Sequence, residues 1–253
     1  AFRALTLTAS LAGTSALLRA DGSARSDYTL GLIAGRLIPV FLGVQDLATF
    51  IAVGLAIAGK WLIMGRRRQG RYNWDDSSYC QRWQIYLAST SFIRSAYFGN
   101  GILEYLHGTA YIVWYFRSLG AHIGKDVCLY PTGADPMMTE PDLVQIGDQA
   151  CVDDASVIAH INSQGQFSLN TVVVGPRATL RRFSRVLSGA AVMPGGTLLE
   201  HTLVLSGDIV DAYSTWQGWP AAMVAAFPLP DPGPHKGLPA GLTSGGGGGG
   251  GCA

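Results

Sequence analysis

The stretch VGPRATLRRFSRVLSGAAVMPGGTLLEHTLVLSGDIV, from Val174 to Val210, repeats every six residues. An aliphatic side chain recurs at each sixth position, and a small side chain lies two places before most of them. The aliphatic column is Val174, Leu180, Val186, Val192, Leu198, Val204 and Val210, and the small column is Ala178, Ser184, Ala190, Gly196 and Thr202. This period is the signature of a hexapeptide β-helix, in which each unit supplies one short strand and one turn. We therefore predict a mainly β domain of stacked, three-sided coils with the aliphatic column inside.

An earlier block has the same period in a different phase. Its aliphatic residues are Ile146, Val152 and Ile158, and its small residues are Ala150 and Ser156. The interval from Ile158 to Val174 is two units plus four extra residues, so the chain must leave the coil and return. We predict a protruding loop within residues 159–171, with its tip in the polar run at 162–166.

Composition bounds the classes of protein. Of 253 residues, 14% are charged and 48% are hydrophobic, and the net charge of +1 argues against a nucleic-acid partner. The four cysteines have no metal-ligand spacing, so they are interpreted as free thiols of a reducing compartment or as core residues: Cys80, Cys128, Cys151 and Cys252. The chain begins with an apolar stretch and no Met, which indicates the C-terminal piece of a longer protein. The Pro-rich and Gly-rich segment 227–253 is predicted to be disordered.

The apolar block at 30–64 is long enough for a membrane-spanning helix. We predict one such helix around Pro39–Met64, preceded by a re-entrant or interfacial element; the alternative is a buried helix of a soluble core. Asp46 would be costly in hydrocarbon unless it pairs or faces other helices. Positive residues beside a span tend to stay in the cytoplasm, and four arginines follow at once: Arg66, Arg67, Arg68 and Arg71. The chain is therefore expected to be an integral membrane protein with a cytoplasmic β-helix.

Aromatic residues and arginines alternate through 72–118. Such a segment suits amphipathic helices at the membrane interface, or a helical cap on the β-helix. The predicted organisation is thus a membrane helix region at 1–71, an aromatic helical linker at 72–118, the hexapeptide β-helix at 119–226 and the tail at 227–253.

Several segments together resemble the C-terminal membrane region of non-ribosomal-peptide-synthetase-like proteins of the ε-poly-lysine synthetase type. The resemblance covers about residues 30–225, and the segments that carry it are Lys60-Trp61-Leu62, Gly65-Arg66, Gly70-Arg71-Tyr72, Tyr79, Arg82-Trp83, Gly108-Thr109, WYFRSLGAHIG at 114–124, DLVQIGD at 142–148, the loop with His160, and WQGWPA at 216–221. It implies soluble domains built like left-handed β-helix acyltransferases, placed between membrane helices.

The resemblance also implies an AMP-binding adenylation domain and a carrier domain upstream. The carrier would present aminoacyl thioesters on phosphopantetheine, and the β-helix domain would join them. This sequence departs from the usual hexapeptide pattern after the aliphatic column, where Leu187 and Leu205 would stack on the outside. An apolar outer face predicts a partner, such as a second β-helix domain, another copy of the chain, or the membrane-side helices with their lipid.

His160 is the main catalytic candidate, because it lies at the root of the predicted loop and acyltransferases of this fold often place a general-base histidine there. It would take a proton from an amine or hydroxyl that attacks a thioester. Glu140 and Asp142 are candidates to orient this histidine or to bind a cationic acceptor amine, and the alternative for both is a solvated turn around Pro141.

The segment with Trp216, Gly218 and Pro220 would lie near a pantetheine arm by analogy with acetyltransferases, or would simply cap the coil. His201 is interpreted as a residue of a surface ladder. The other histidines are dispersed without ligand spacing, which argues against a metal site and against a γ-type carbonic anhydrase: His107, His122 and His235.

The sequence therefore predicts an acyltransferase that uses a carrier-bound aminoacyl or acyl thioester. Two alternatives stay open: a coenzyme-A-dependent hexapeptide acetyltransferase, and a non-catalytic β-helix scaffold.

Overall fold

The computed structural model describes residues 38–90, 103, 106–132 and 138–226, together with residues 12, 13, 16 and 35. It has two compact units: Ala1–Arg66 with Ser77–Leu106, and Arg67–Asp76 with His107–Ala253. Apart from the isolated positions just named, the element predicted before Pro39 lies outside the described residues. The tail predicted for 227–253 lies outside them too.

The first unit contains two described helices, α1 (Ile38–Ile63) and α2 (Ser78–Ser89). Within the described part of the chain, α1 is the one helix long and apolar enough to cross a membrane. Its 26 residues would extend about 39 Å, which exceeds the roughly 30 Å of bilayer hydrocarbon. The structure thus confirms a helix at the predicted position. Asp46 is exposed along it, and large apolar side chains are exposed as well: Ile38, Leu42, Leu47, Phe50, Ile51, Leu55, Trp61 and Leu62.

The described part of the aromatic linker contains two α-helices. Ser77 caps α2 by accepting a hydrogen bond from the Tyr79 N–H, at 3.2 Å from its hydroxyl oxygen. The second helix, α3 (Ala110–Ser118), belongs to the other unit and is capped in the same way by Thr109. Side-chain oxygens at these positions satisfy amide groups that have no partner inside the helix. Residues 91–102, 104 and 105 of the linker lie outside the described part of the chain.

The second unit is built on three parallel sheets that form the faces of a coil, with strands numbered in chain order. Face A consists of β2 (His122–Ile123), β4 (Val144–Ile146), β9 (Val172–Val174), β12 (Ala191–Val192) and β15 (Ile209–Val210). Face B consists of β3 (Cys128–Leu129), β5 (Cys151–Val152), β10 (Thr179–Leu180), β13 (Thr197–Leu198), β16 (Ser214–Gln217) and the antiparallel β17 (Ala222–Ala226). Face C consists of β6 (Ser156–Val157), β11 (Arg185–Val186) and β14 (Leu203–Val204).

The register confirms the hexapeptide repeat. Leu180 pairs with Leu198, eighteen residues later, and Val192 pairs with Val210 in the same way. The aliphatic column from Val174 to Val210 is at most 1% exposed. The small column is buried as well, because it occupies the corners where the chain turns from one face to the next. The left-handed sense of the coil stays a prediction.

The register predicted for the earlier block is wrong by one residue at its third strand. Val157 is fully buried and points inside, whereas Ile158 is half-exposed, and Ala155 rather than Ser156 takes the small position. Val157 pairs with Val186 on face C. The step from Val152 to Val157 is five residues, whereas the step from Leu180 to Val186 is six, so the corner before Val157 is one residue shorter. A period of six applied without interruption therefore misplaces the side chains of this strand.

The predicted loop is a β-hairpin. It consists of β7 (His160–Ser163) and β8 (Gln166–Leu169), and its two-residue turn at Gln164 and Gly165 lies within the predicted tip. Both turn residues have positive φ, of 51° and 71°, as the tight hairpin turns require. A strand that the sequence analysis did not predict, β1 (Gly70–Asn73), pairs antiparallel with β8.

Two cysteines lie beside each other on face B. Cys128 and Cys151 are register partners on the first two coils, and the described cysteines, which include Cys80, are free thiols. Burial and the neighbouring Cys128 raise the pKa of the Cys151 thiol to about 11. This thiol is therefore protonated near neutral pH and a poor nucleophile. Cys252 lies outside the described residues.

The inward column makes the coil sensitive to the loss of side-chain volume. Leu198 is fully buried, whereas Leu205, one position beyond the column, is 40% exposed. We expect Leu198→Ala to lower the free energy of unfolding by about 2–5 kcal/mol and Leu205→Ala by less than about 1 kcal/mol. Denaturant unfolding followed by far-ultraviolet circular dichroism measures both, and equal losses would contradict the assignment of inside and outside.

Candidate active site

The root of the hairpin brings a histidine and a buried carboxylate together. His160 is the first residue of β7, and its Nδ1 lies 3.0 Å from each carboxylate oxygen of Glu140. Glu140 directly precedes a 3₁₀ turn at Pro141–Leu143 and is fully buried. The side chain of His160 is 22% exposed, so the pair extends from the interior toward solvent.

Hydrogen bonds and charges keep this carboxylate ionised. Thr139 donates to Glu140 from its hydroxyl, with 2.6 Å between the oxygens. Burial pushes the pKa of Glu140 upward. The hydrogen bond and charge of His160, the charge of Arg67 and the hydrogen bond from Thr139 together outweigh burial, so the pKa is lowered from its ordinary value of 4.5.

Asp142 binds a cation that the chain itself supplies. The backbone N–H of Arg67 donates to Asp142 Oδ2 at 3.3 Å, and the guanidinium Nε lies 4.0 Å from the same oxygen. The guanidinium also donates from Nη1 to the Thr139 carbonyl. Both side chains of the pair are buried, at 0% and 2% exposure. Asp142 thus contacts Arg67, and Glu140 is the carboxylate that contacts His160.

Two aromatic side chains complete the surroundings of His160. The ring of Phe167, on β8, stacks on the imidazole with 5.2 Å between centroids and 15° between planes. Trp74 packs in turn on Phe167, with centroids 5.9 Å apart. The ring of Phe167 therefore covers one face of the imidazole, and the carboxylate holds its Nδ1 edge.

The contact with Glu140 determines which ring nitrogen of His160 carries the proton. An ionised carboxylate accepts hydrogen bonds only, so the contact with Glu140 places a proton on Nδ1 of His160. In the neutral ring Nε2 is then the basic atom, and a buried anion at Nδ1 stabilises the imidazolium that forms when Nε2 takes a proton. A histidine held in this way is suited to act as a general base.

The predicted cofactor residues lie elsewhere on the coil. Trp216 is on β16, which is stacked three strands beyond β5 on face B. At about 4.8 Å between strands, β16 lies roughly 14 Å along the axis from the coil that leads into His160. Gly218 and Pro220 form the turn between β16 and β17. The structure does not bring these residues to the Glu140–His160 pair.

The terminal turn offers few polar groups to a pantetheine arm. The carbonyls of Trp216 and Gly218 already accept from the N–H groups of Leu199 and Leu203, and the indole N–H donates to Ser214. The exposed ring of Trp219, in the same turn, offers apolar contact that fits the carbon chain of such an arm. A separate groove of about 300 Å³ runs along face A and is lined by His122, Ile123, Gly124, Gln145, Ile146, Gly147, Asp148, Val173, Val174, Gly175 and Pro176.

Sequence reasoning missed three residues of the site. Arg67 lies in a run of arginines that indicates a membrane boundary, and its burial distinguishes it from the exposed Arg66 and Arg68. Thr139 directly precedes the candidate Glu140. Phe167 is the one Phe, Tyr or Trp in the predicted loop, and this position is the sequence feature that could have identified it. His201 stacks on the exposed ring of Phe183 at the surface, as predicted, with centroids 5.1 Å apart.

The six-residue period, the three parallel faces and the hairpin inserted between coils define a hexapeptide-repeat β-helix protein. No family model matches the chain. A curated relative, the δ-poly-L-ornithine synthetase of Acinetobacter baumannii strain AB307-0294, is 32% identical over 195 residues. That alignment covers 76% of this chain and 13% of the relative, so the chain spans about an eighth of the relative's length.

Solved structures of acetyltransferases are also similar to the chain. A hexapeptide-repeat acetyltransferase from Vibrio cholerae is 11% identical, with a TM-score of 0.41 over 60% of this chain and 94% of that chain. A maltose O-acetyltransferase from Clostridium difficile 630 is 11% identical, with a TM-score of 0.40 over 68% and 98%. A galactoside acetyltransferase in complex with coenzyme A is 9% identical, with a TM-score of 0.40 over 64% and 88%.

The lowered pKa of Glu140 predicts a pH-dependent stability. Since the folded pKa lies below the ordinary value of 4.5, ionised Glu140 stabilises the folded chain above about pH 4.5, and this contribution is lost as the pH falls through the folded pKa. We expect the free energy of unfolding of Glu140→Gln to fall less steeply with decreasing pH than that of the wild type. The free energy of unfolding, measured from about pH 6 down to pH 3, tests it.

Asp208→Asn, at an exposed position, is the matched control and should keep the wild-type slope. If the stability of Glu140→Gln falls as steeply with decreasing pH as that of the wild type, other carboxylates cause the acid sensitivity.

Proposed function

We propose that this chain is an acyltransferase domain that forms an amide or ester from a pantetheine-linked aminoacyl or acyl thioester. The contact between His160 and buried Glu140, at the root of the hairpin, carries the proposal. The curated relative adds support, because its name specifies a polymer of ornithine and joining such units requires amide bonds.

The chemistry follows from the position of the proton. His160 Nε2 takes a proton from the acceptor amine or hydroxyl as that group attacks the thioester carbonyl. The new C–N or C–O bond forms, the C–S bond breaks, and the departing sulfur recovers the proton from the imidazolium. Glu140 stays ionised throughout and stabilises the imidazolium in between. Atoms and charge balance without a further reactant.

We propose a carrier domain of the same longer protein as the thioester donor, in line with the synthetase-like resemblance. A carrier arm and coenzyme A share the pantetheine thioester, so product formation from each donor, offered separately, distinguishes them. Product from the acetyl thioester of coenzyme A alone would favour an independent acetyltransferase. Product only from a loaded carrier would favour the synthetase reaction.

We further propose that α1 anchors the domain in a membrane with the β-helix on the cytoplasmic side. The length and apolar surface of α1 support anchoring, and the exposed Arg66, Arg68 and Arg71 support the orientation. A second β-helix domain or another copy of the chain is proposed for the outer surface, where large apolar side chains are exposed: Leu205, Ile209, Trp219, Met223 and Val224.

Replacing the histidine tests the function directly. We expect His160→Ala to lower product formation by about 10²–10⁴-fold, because the step then loses its general base. His201→Ala is the matched control, since His201 is exposed and lies outside the site, and it should stay near wild type. Full activity in folded His160→Ala would remove this residue from the mechanism and favour a scaffold.

A further inference from the structure

The segment 67–76, which we call the strap, belongs to the same compact unit as the β-helix although it precedes α2 in the chain. Its strand β1 pairs with β8 over four residues, so the strap forms the third strand of the hairpin sheet. The Trp74 N–H donates to the Gly165 carbonyl at the hairpin turn, at 2.9 Å. Gln69 donates to Thr171, just beyond the other end of β8. The strap is thus bound along the whole length of the hairpin.

The strap reaches the Glu140–His160 pair from two sides. On the acidic side, Arg67 binds Asp142 and the Thr139 carbonyl, which flank Glu140 in the chain. On the aromatic side, Trp74 packs on Phe167, which stacks on the imidazole. A hairpin without the strap would lose the residue behind Phe167 and the cation beside both carboxylates.

A count of charges shows why the cation matters. Glu140 and Asp142 are buried carboxylates two residues apart, and a buried carboxylate without a compensating charge is costly. Arg67 is the fully buried guanidinium beside them, and it offsets one of the two negative charges. His160 balances the other whenever it holds a second proton, which is the state that a general base reaches during the reaction.

We infer that Arg67 is a positioning residue for the Glu140–His160 pair, and that the strap, rather than the coils alone, completes the proposed active site. Arg67 engages Asp142 and holds the 139–142 segment against the strap. Glu140 is then the carboxylate that contacts His160, and it also accepts from the Thr139 hydroxyl. A domain cut at the first coil would therefore lack the strap residues that complete the site.

This inference rests on the proposed function, but its test does not need the substrate. Diethyl pyrocarbonate modifies unprotonated imidazole, so the pH at which modification of His160 is half-maximal reports the charges around it. The full chain is treated across about pH 5–9, and modification of the His160 peptide is measured by mass spectrometry. The variants are Arg67→Met, which removes the charge, and Arg67→Lys, which keeps it. Arg71→Met, at an exposed position of β1, is the matched control.

We expect Arg67→Met to raise the half-maximal pH by about half a unit or more, because the imidazolium no longer meets a neighbouring cation while Glu140 remains. Arg67→Lys should restore most of the wild-type profile, and Arg71→Met should leave it unchanged. An unchanged profile in folded Arg67→Met would overturn the inference. The outcome for the reaction is separate: a shifted profile with fully active His160→Ala would overturn the proposed function and leave the positioning role standing.

Arg67→Met leaves Asp142 buried without its cation, and the variant can fail to fold for that reason. The double variant Arg67→Met with Asp142→Asn removes both charges and should fold. Its half-maximal pH should lie above that of Asp142→Asn alone by a similar amount, because these two variants differ only in the Arg67 cation. If neither variant folds, Arg67 serves the stability of the domain and the inference is overturned.

Discussion

The stacking of coil on coil is the constraint on which the rest of this structure depends. Each coil donates its amides to the carbonyls of the next, as from Gly175 to Val192 at 2.7 Å and from Arg181 to Leu198 at 3.0 Å. These bonds form only when every coil keeps the same register, and the inward aliphatic column enforces that register because a slip of one residue would turn the column outward. The coil is therefore a rigid frame, and a loop that leaves it is held at both ends.

Both ends of the hairpin are fixed to this rigid coil. Ala159 and Asn170 join its two ends by a backbone hydrogen bond of 3.0 Å, so His160 starts from a fixed point of the frame. Ser188, from the following coil, donates to the Ala159 carbonyl at 2.8 Å and secures the same point. The imidazole is then fixed by Glu140 on its Nδ1 edge and by Phe167 on its face. Rigid support of this kind is what a general base needs, since misplacement by about 1 Å can cost on the order of 10²-fold in rate.

The sequence was informative wherever the signal was local and repeated. Seven aliphatic residues in one column predicted the coil, and the break in phase predicted the hairpin with its turn. The same reasoning misplaced Ile158, because a corner shortened by one residue changes which side chain points inward and leaves the composition unaltered. The strand β1 could not be found in this way, since its partner is distant in the chain and strand pairing leaves no periodic trace in four residues.

The candidate site was predicted in part for a similar reason. His160 was identified by its position at the root of a loop, and Glu140 and Asp142 by their charge beside a turn. Which carboxylate contacts the histidine depends on Arg67, whose sequence context is a run of arginines typical of a membrane boundary. The exposed arginines at 66, 68 and 71 fit that context, while the burial of Arg67 follows from tertiary packing that no local pattern encodes.

In the proposed acyl transfer, Glu140 and His160 act as one unit. A double-mutant cycle on kcat/KM, with His160→Ala, Glu140→Gln and the two combined, measures this most directly. If Glu140 acts only through His160, the double variant loses no more activity than His160→Ala alone. If instead the loss of the double variant, relative to wild type, equals the product of the two single losses, Glu140 and His160 act independently.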